Sequence, residues 1–268
     1  MITVREKLPQ FWKFSQGISA DLQAEKFSDW GPLVQKIKAT LETSFVEQMG
    51  KTIPGWQKIA TLNEGQTALH TLLVFSICLN LPEYQQSGEL TRREIEWAAL
   101  LHDLDKTQAR RDTAHPFRSA AIAAQILPDL GFELQPGIQQ SDLAAWSDLV
   151  LSAQRPDGDR MLHDHSSLKE IIANLHRCWG DHSSASRILK AVLLHQSLPT
   201  LKDWSNPVLL TDEELSYALS LADMQVLGPL MIADSDAWNI FDDPRYAYLD
   251  ELRANIADTC RRIQEMDP

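Results

Sequence analysis

Five histidines and aspartates in this 268-residue chain sit where polar side chains are costly, inside apolar helical runs. His70 lies in TALHTLLVF, and the pair His102-Asp103 lies in WAALLHDLDK. His195 lies in KAVLLHQSLP, and Asp223 in YALSLADMQ. A further histidine, His115, opens the run HPFRSAAIAAQIL. A buried imidazole or carboxylate needs a partner, and a metal ion is one. Imidazole nitrogen mixed with carboxylate oxygen suits Mn, Fe, Zn, Co or Ni better than Ca. Adjacent helical residues point about 100° apart, so His102 and Asp103 can reach one ion only if other helices close its coordination sphere.

Those helices are legible from periodicity. Apolar spacing predicts helices over about 66–79, 116–127, 141–153, 167–178, 185–196 and 246–265. Thr91 with Glu94 reads as a capping box that starts the helix leading into His102. Thr211 with Glu214 reads as a second box, leading into LSYALSLADMQ. Pro82, Pro128 with Gly131, RPDGD at 155–159, Asn206-Pro207 and Asp243-Pro244 punctuate the chain. The expected fold is all-α. The expected organisation is flanking helices over 1–60 packed on a main body, a central unit over 61–230, and a loop and helix over 231–268.

The order His70, His102-Asp103, His115, His195, Asp223 resembles the HD-domain superfamily of metal-dependent phosphohydrolases, whose pattern is H…HD…H…H…D. The match runs from about residue 64 to 230. Its most specific stretch is WAALLHDLDKTQARRDTAHPFRSAAIAAQIL, which looks like the family's helix–loop–helix. The resemblance implies an HD-type helical bundle. It implies that one or two divalent ions (Mn, Fe, Ni, Co, Zn or Mg) are bound: His70, His102, Asp103 and Asp223 hold the first, and in a dinuclear site Asp103 bridges to a second held by His115 and His195. It also implies a metal-activated water as nucleophile, with Asp103 and Lys106 in the catalytic machinery and Lys106 contacting a substrate phosphate. The expected substrate is a small phosphorylated molecule, a nucleotide above all.

Two departures from the family pattern stand out. Asp105 replaces the usual glycine, giving HDLDK, and is expected to face solvent or bind a water beside the metal. Gln154 stands where some members carry a histidine before a Pro-Asp-Gly loop. His163, His165, His176 and His182 share the long interval before His195 and compete for the late ligand position. His195 is favoured because its helix precedes the one bearing Asp223. His163 and His165 read as exposed loop residues.

From 106 to 118 the chain carries Lys106, Arg110, Arg111 and Arg118 against the single acid Asp112. A basic patch beside a metal site is what an anionic substrate requires. The chain as a whole is acidic, net −12, which disfavours nucleic acid as a general partner. Three dispersed cysteines give no disulfide framework. No apolar stretch approaches membrane-span length, and no signal-peptide pattern opens the sequence, so a cytoplasmic protein is expected. Asp234, Asp236, Asp242 and Asp243 read as a solvated turn, and the eight tryptophans as core and interface anchors. The same ligand pattern also serves HD-type nucleases, di-iron HD oxygenases and non-catalytic nucleotide-binding modules. Oligomeric state is left open.

Overall fold

The computed structural model describes residues 2–41, 43–106, 112–157, 160–199, 209–242 and 245–266. The fold is all-α. The described residues form fifteen helices: α1 (Val4–Lys7), α2 (Pro9–Gln23), α3 (Trp30–Thr40), α4 (Thr43–Thr52), α5 (Trp56–Thr61), α6 (Gln66–Cys78), α7 (Pro82–Gln85), α8 (Glu89–Leu101), α9 (His115–Ile126), α10 (Gln140–Ser152), α11 (Leu168–Trp179), α12 (Ser184–Leu194), α13 (Asp212–Ala218), α14 (Leu221–Asn239) and α15 (Arg245–Met266). The one sheet among them pairs β1 (Gln154–Asp157) with β2 (Arg160–His163), antiparallel, with Gln154 opposite His163. That hairpin replaces the loop expected over 155–159, of which 158–159 lie outside the described residues. The predicted turns at Asn206-Pro207 and Asp243-Pro244 lie outside them too.

Four helices make the centre: α14 packs against α6, α8 and α12, and α12 also packs on α9. From Thr67 to Cys78 every residue of α6 is buried except Leu69, so this helix is apolar on all sides. Such a helix belongs in a core rather than at a surface. The turn into it uses Gly65 at φ +77°, where a Cβ would stand 2.9 Å from the Ala60 carbonyl oxygen. Only glycine takes that conformation and that close approach without strain. The N-terminal helices pack onto this centre. Phe11 meets Trp56 and Phe75 edge-on at 5.8 and 4.8 Å, and the Trp97 indole donates to the Ile2 carbonyl at 2.9 Å.

Two helix starts differ in outcome. Thr211 and Glu214 form the expected box, Glu214 N donating to Thr211 Oγ1 at 3.2 Å and Thr211 N to Glu214 Oε2 at 2.8 Å. Thr91 and Glu94 do not: α8 already begins at Glu89, and Glu94 is buried against α12. There it accepts from Arg187 Nε at 3.0 Å and from Ser184 Oγ at 2.5 Å. With Arg187 Nη2 on its other oxygen, Glu94 is bound bidentately, which adds geometric specificity to the charge-assisted pair.

The run expected as one helix from Thr211 is broken. Leu219 and Ser220 are extended, and α13 and α14 are bent by 106°. Ser220 and Asp223 form a fresh capping box at the break. No single described helix is long and apolar enough to cross a membrane. The expected boundary after residue 230 falls within α14.

Candidate metal centre

Five helices deliver the site. His70 is on α6, His115 is the first residue of α9, and Asp234 lies on α14. His102 and His195 cap the C-termini of α8 and α12, and Asp103 follows in the turn after α8. Their donor atoms fall into two groups: His70, His102, Asp103 and Asp234, and Asp103, His115 and His195.

Asp103 belongs to both because its two oxygens face different ways. Oδ2 lies 3.4 Å from His102 Nε2 and 3.6 Å from His70 Nε2. Oδ1 lies 3.0 Å from His115 Nε2 and 3.8 Å from His195 Nε2. Asp234 Oδ1 completes the first group, 2.7 Å from His70 Nε2 and 3.8 Å from His102 Nε2.

The helix ends fix which imidazole nitrogen points inward. A helix leaves its last carbonyls without intrahelical donors. His102 Nδ1 donates to the Ala99 carbonyl and His195 Nδ1 to the Val192 carbonyl, each at 2.8 Å. His115 Nδ1 donates in the same way to the Asp112 carbonyl at 2.5 Å. With Nδ1 carrying the proton, each ring directs the Nε2 lone pair at Asp103. A metal-ligating imidazole needs this same outer support.

His102 Nε2, His195 Nε2 and Asp103 Oδ1 are buried and have no hydrogen-bond partner within the protein. Three such atoms at one point would each cost on the order of 1–3 kcal/mol. Divalent metal coordination satisfies all three, and the mixed nitrogen and oxygen donors match its chemistry. The residues present therefore fit a metal: the buried cluster could hold one.

The charge states of Asp103, Asp234 and His195 agree with a ligand role, whereas His102, which burial would lower, is raised by Asp103 and Asp234. Burial would raise the Asp103 carboxyl, but His102, Lys106 and His115 hold it well below the usual carboxylate range. Asp234 is likewise lowered: the cost of its burial is outweighed by His70, Lys106 and His102. Burial pushes His195 down to about 3, which keeps it neutral and able to donate a lone pair. Lys106 rests its Nζ 2.7 Å from Asp103 Oδ2, and the pull of Asp103 and Asp234 raises it above the ordinary lysine value despite its burial.

Of the predicted site residues, His70, His102, Asp103, Lys106, His115 and His195 converge. Asp223 does not. It sits at the start of α14, caps Ser220, and pairs with buried Lys190 at 3.0 Å. The aspartate that converges is Asp234, eleven residues later on the same helix. Of the four aspartates expected in a solvated turn, Asp234 and Asp236 lie on α14 instead: Asp234 is largely buried, and Asp236 is buried and paired with Arg245 at 2.5 Å, while Asp242 is exposed beyond the helix and Asp243 lies outside the described residues. The missed signal is the apolar run LGPLMIADSDAW, which carries Asp234 as LSLADMQ carries Asp223.

Arg118 is no free phosphate contact. Its Nε donates to Asp105 Oδ2 at 2.8 Å, and Nη1 to Asp112 Oδ1 and Gln154 Oε1, both at 3.1 Å. Nη2 donates to the Asp105 carbonyl at 3.0 Å and to Asp112 Oδ2. All five guanidinium donors are used. Asp105, expected to face solvent or a metal-side water, anchors Arg118 and Lys58 instead. Arg110 and Arg111 lie outside the described residues. His163 and His165 are buried rather than exposed: His163 donates to the Thr113 carbonyl at 2.6 Å and stacks on Phe117. Comparison of the chain with protein-family models, curated proteins and solved structures returns no match.

Proposed function

We propose that the chain is a metal-dependent phosphohydrolase of the HD type, cleaving a phosphate ester or anhydride of a small nucleotide. The observation that carries this reading is the Asp103 carboxylate, with one oxygen in each of two donor groups and Lys106 Nζ 2.7 Å from it. His70, His102, Asp103 and Asp234 would hold one divalent ion, and Asp103, His115 and His195 a second. When bound, such ions lower the pKa of a coordinated water toward neutrality and offset charge on a phosphoryl group.

The protein's own residues supply the rest. The Nδ1–carbonyl bonds of His102, His115 and His195 hold the rings in one tautomer and one orientation. Asp103 and Asp234 keep negative charge in a buried place. Lys106 keeps its ammonium there, where a phosphate oxygen can take it up as a hydrogen-bond acceptor. Arg118 fixes residues 105 and 112, between which Arg110 and Arg111 lie in the sequence.

The test is a panel of nucleoside monophosphates, diphosphates, triphosphates and cyclic esters, offered to protein loaded in turn with Mn, Ni, Co, Fe and Mg. Release of phosphate or nucleoside that is lost in His102→Ala and sharply reduced in Lys106→Ala supports the assignment. No turnover with any metal overturns it.

A further inference from the structure

The geometry points to Trp238 as the platform on which the substrate's nucleobase stacks, an assignment that rests on the phosphohydrolase reading. Exposure is uneven across the site. His102, Asp103, His115 and His195 are at most 2 % exposed. The side chains of Asp234 and Lys106 are 17 and 24 % exposed, and Trp238 is 44 % exposed. Solvent therefore reaches the site at Asp234, Lys106 and Trp238.

Trp238 is fixed there by three relationships. It follows Asp234 by four residues on α14, so the two share a helix face. Its indole stacks on the His70 ring with centroids 4.5 Å apart and planes 23° apart. Lys106 Nζ lies 5.5 Å from its ring centroid, a cation–π contact. Trp56, Trp97, Trp146 and Trp179 are fully buried, whereas Trp238 keeps a large apolar surface in water beside the donor groups. An ammonium and an exposed indole side by side match two neighbouring parts of one ligand, a phosphate and an aromatic ring. A nucleoside 5′-phosphate carries both. Every base offers a π-face, so stacking on Trp238 selects for a base without selecting which one.

The test uses intact Mn-loaded protein and slowly hydrolysed probes. Binding of the four nucleoside 5′-phosphorothioates and of ribose 5-phosphorothioate is measured by calorimetry for wild type, Trp238→Ala and Trp238→Phe, with bound Mn counted in each. The expected result is metal-dependent binding of both ligand types to wild type. Trp238→Ala should weaken the tightest nucleoside probe by about tenfold or more, the scale of one base–aromatic stack. It should leave the ribose probe within about twofold and the Mn count unchanged, and Trp238→Phe should recover most of the loss. An equal effect of Trp238→Ala on both probes, or a lowered Mn count, would make Trp238 a shield for His70 and overturn the stacking role while leaving the hydrolase reading intact. Absence of metal-dependent binding for every probe overturns both.

Discussion

Asp234 Oδ1 lies 2.7 Å from His70 Nε2, while Asp223, on the same helix, is bonded to Lys190 Nζ at 3.0 Å. The two aspartates have separate duties, and variants should separate them. Asp234→Asn removes a charged donor from the first group, so that ion should be lost while the fold persists. Asp223→Asn should keep the metal but leave Lys190 buried without its closest carboxylate. Breaking a buried pair costs about 3–5 kcal/mol. Chemical unfolding combined with metal counting decides the matter. Metal loss from folded Asp223→Asn protein would reverse the assignment.

Asp105 is predicted to be structural. It receives Lys58 and two donors of Arg118, and its own amide donates to Ser119 Oγ at 3.1 Å. Asp105→Gly, which restores the glycine of the resembled family, should lower stability by about 1–3 kcal/mol, because the Arg118 guanidinium loses a charged acceptor. Bound metal per folded chain should not change. A stabilised variant in urea unfolding would contradict this account of the substitution.

Glu96 should make stability depend on pH. Burial raises its carboxyl from the ordinary 4.5 to about 7, against the lowering effect of a 2.7 Å hydrogen bond from Tyr84 Oη. The folded protein thus holds this proton to higher pH than the unfolded chain does. The contribution to stability is present below about pH 4.5 and is lost as the pH rises through about 7. Glu96→Gln should be more stable than wild type at pH 8, by about 1–3 kcal/mol. The advantage should vanish near pH 4.5. Parallel stability–pH curves for the two proteins would rule this out.

The fold class and most of the donor set were legible in the sequence because both depend on local pattern. Helical spacing around His70, His102, His115 and His195 places each histidine at a helix face or end, and the expected bounds of α6, α9 and α12 agree with the structure to within two residues. Of the late histidines, His195 is the one whose donor atom groups with Asp103 and His115. The aspartate itself was misplaced. Asp223 and Asp234 are three helical turns apart, so both fall on one face and differ only in height, by about 16 Å along the axis. Periodicity cannot choose between them. The choice is made by how α14 packs on α6 and α8, a long-range fact. Arg118 and Asp105 were misread for the same reason. A charge count along the chain does not show that Asp112 and Gln154 converge on one guanidinium. The hairpin of β1 and β2 escaped because four-residue strands leave little alternation to read.

Metal stoichiometry tests most directly whether Asp103 is shared between two ions. Protein loaded with Mn, desalted and measured by elemental analysis should hold two ions per chain. The His115→Ala/His195→Ala double variant should hold one, and Asp103→Ala none or nearly none. Asp103→Ala protein that still binds two ions, or wild type that binds none after loading, would contradict the account.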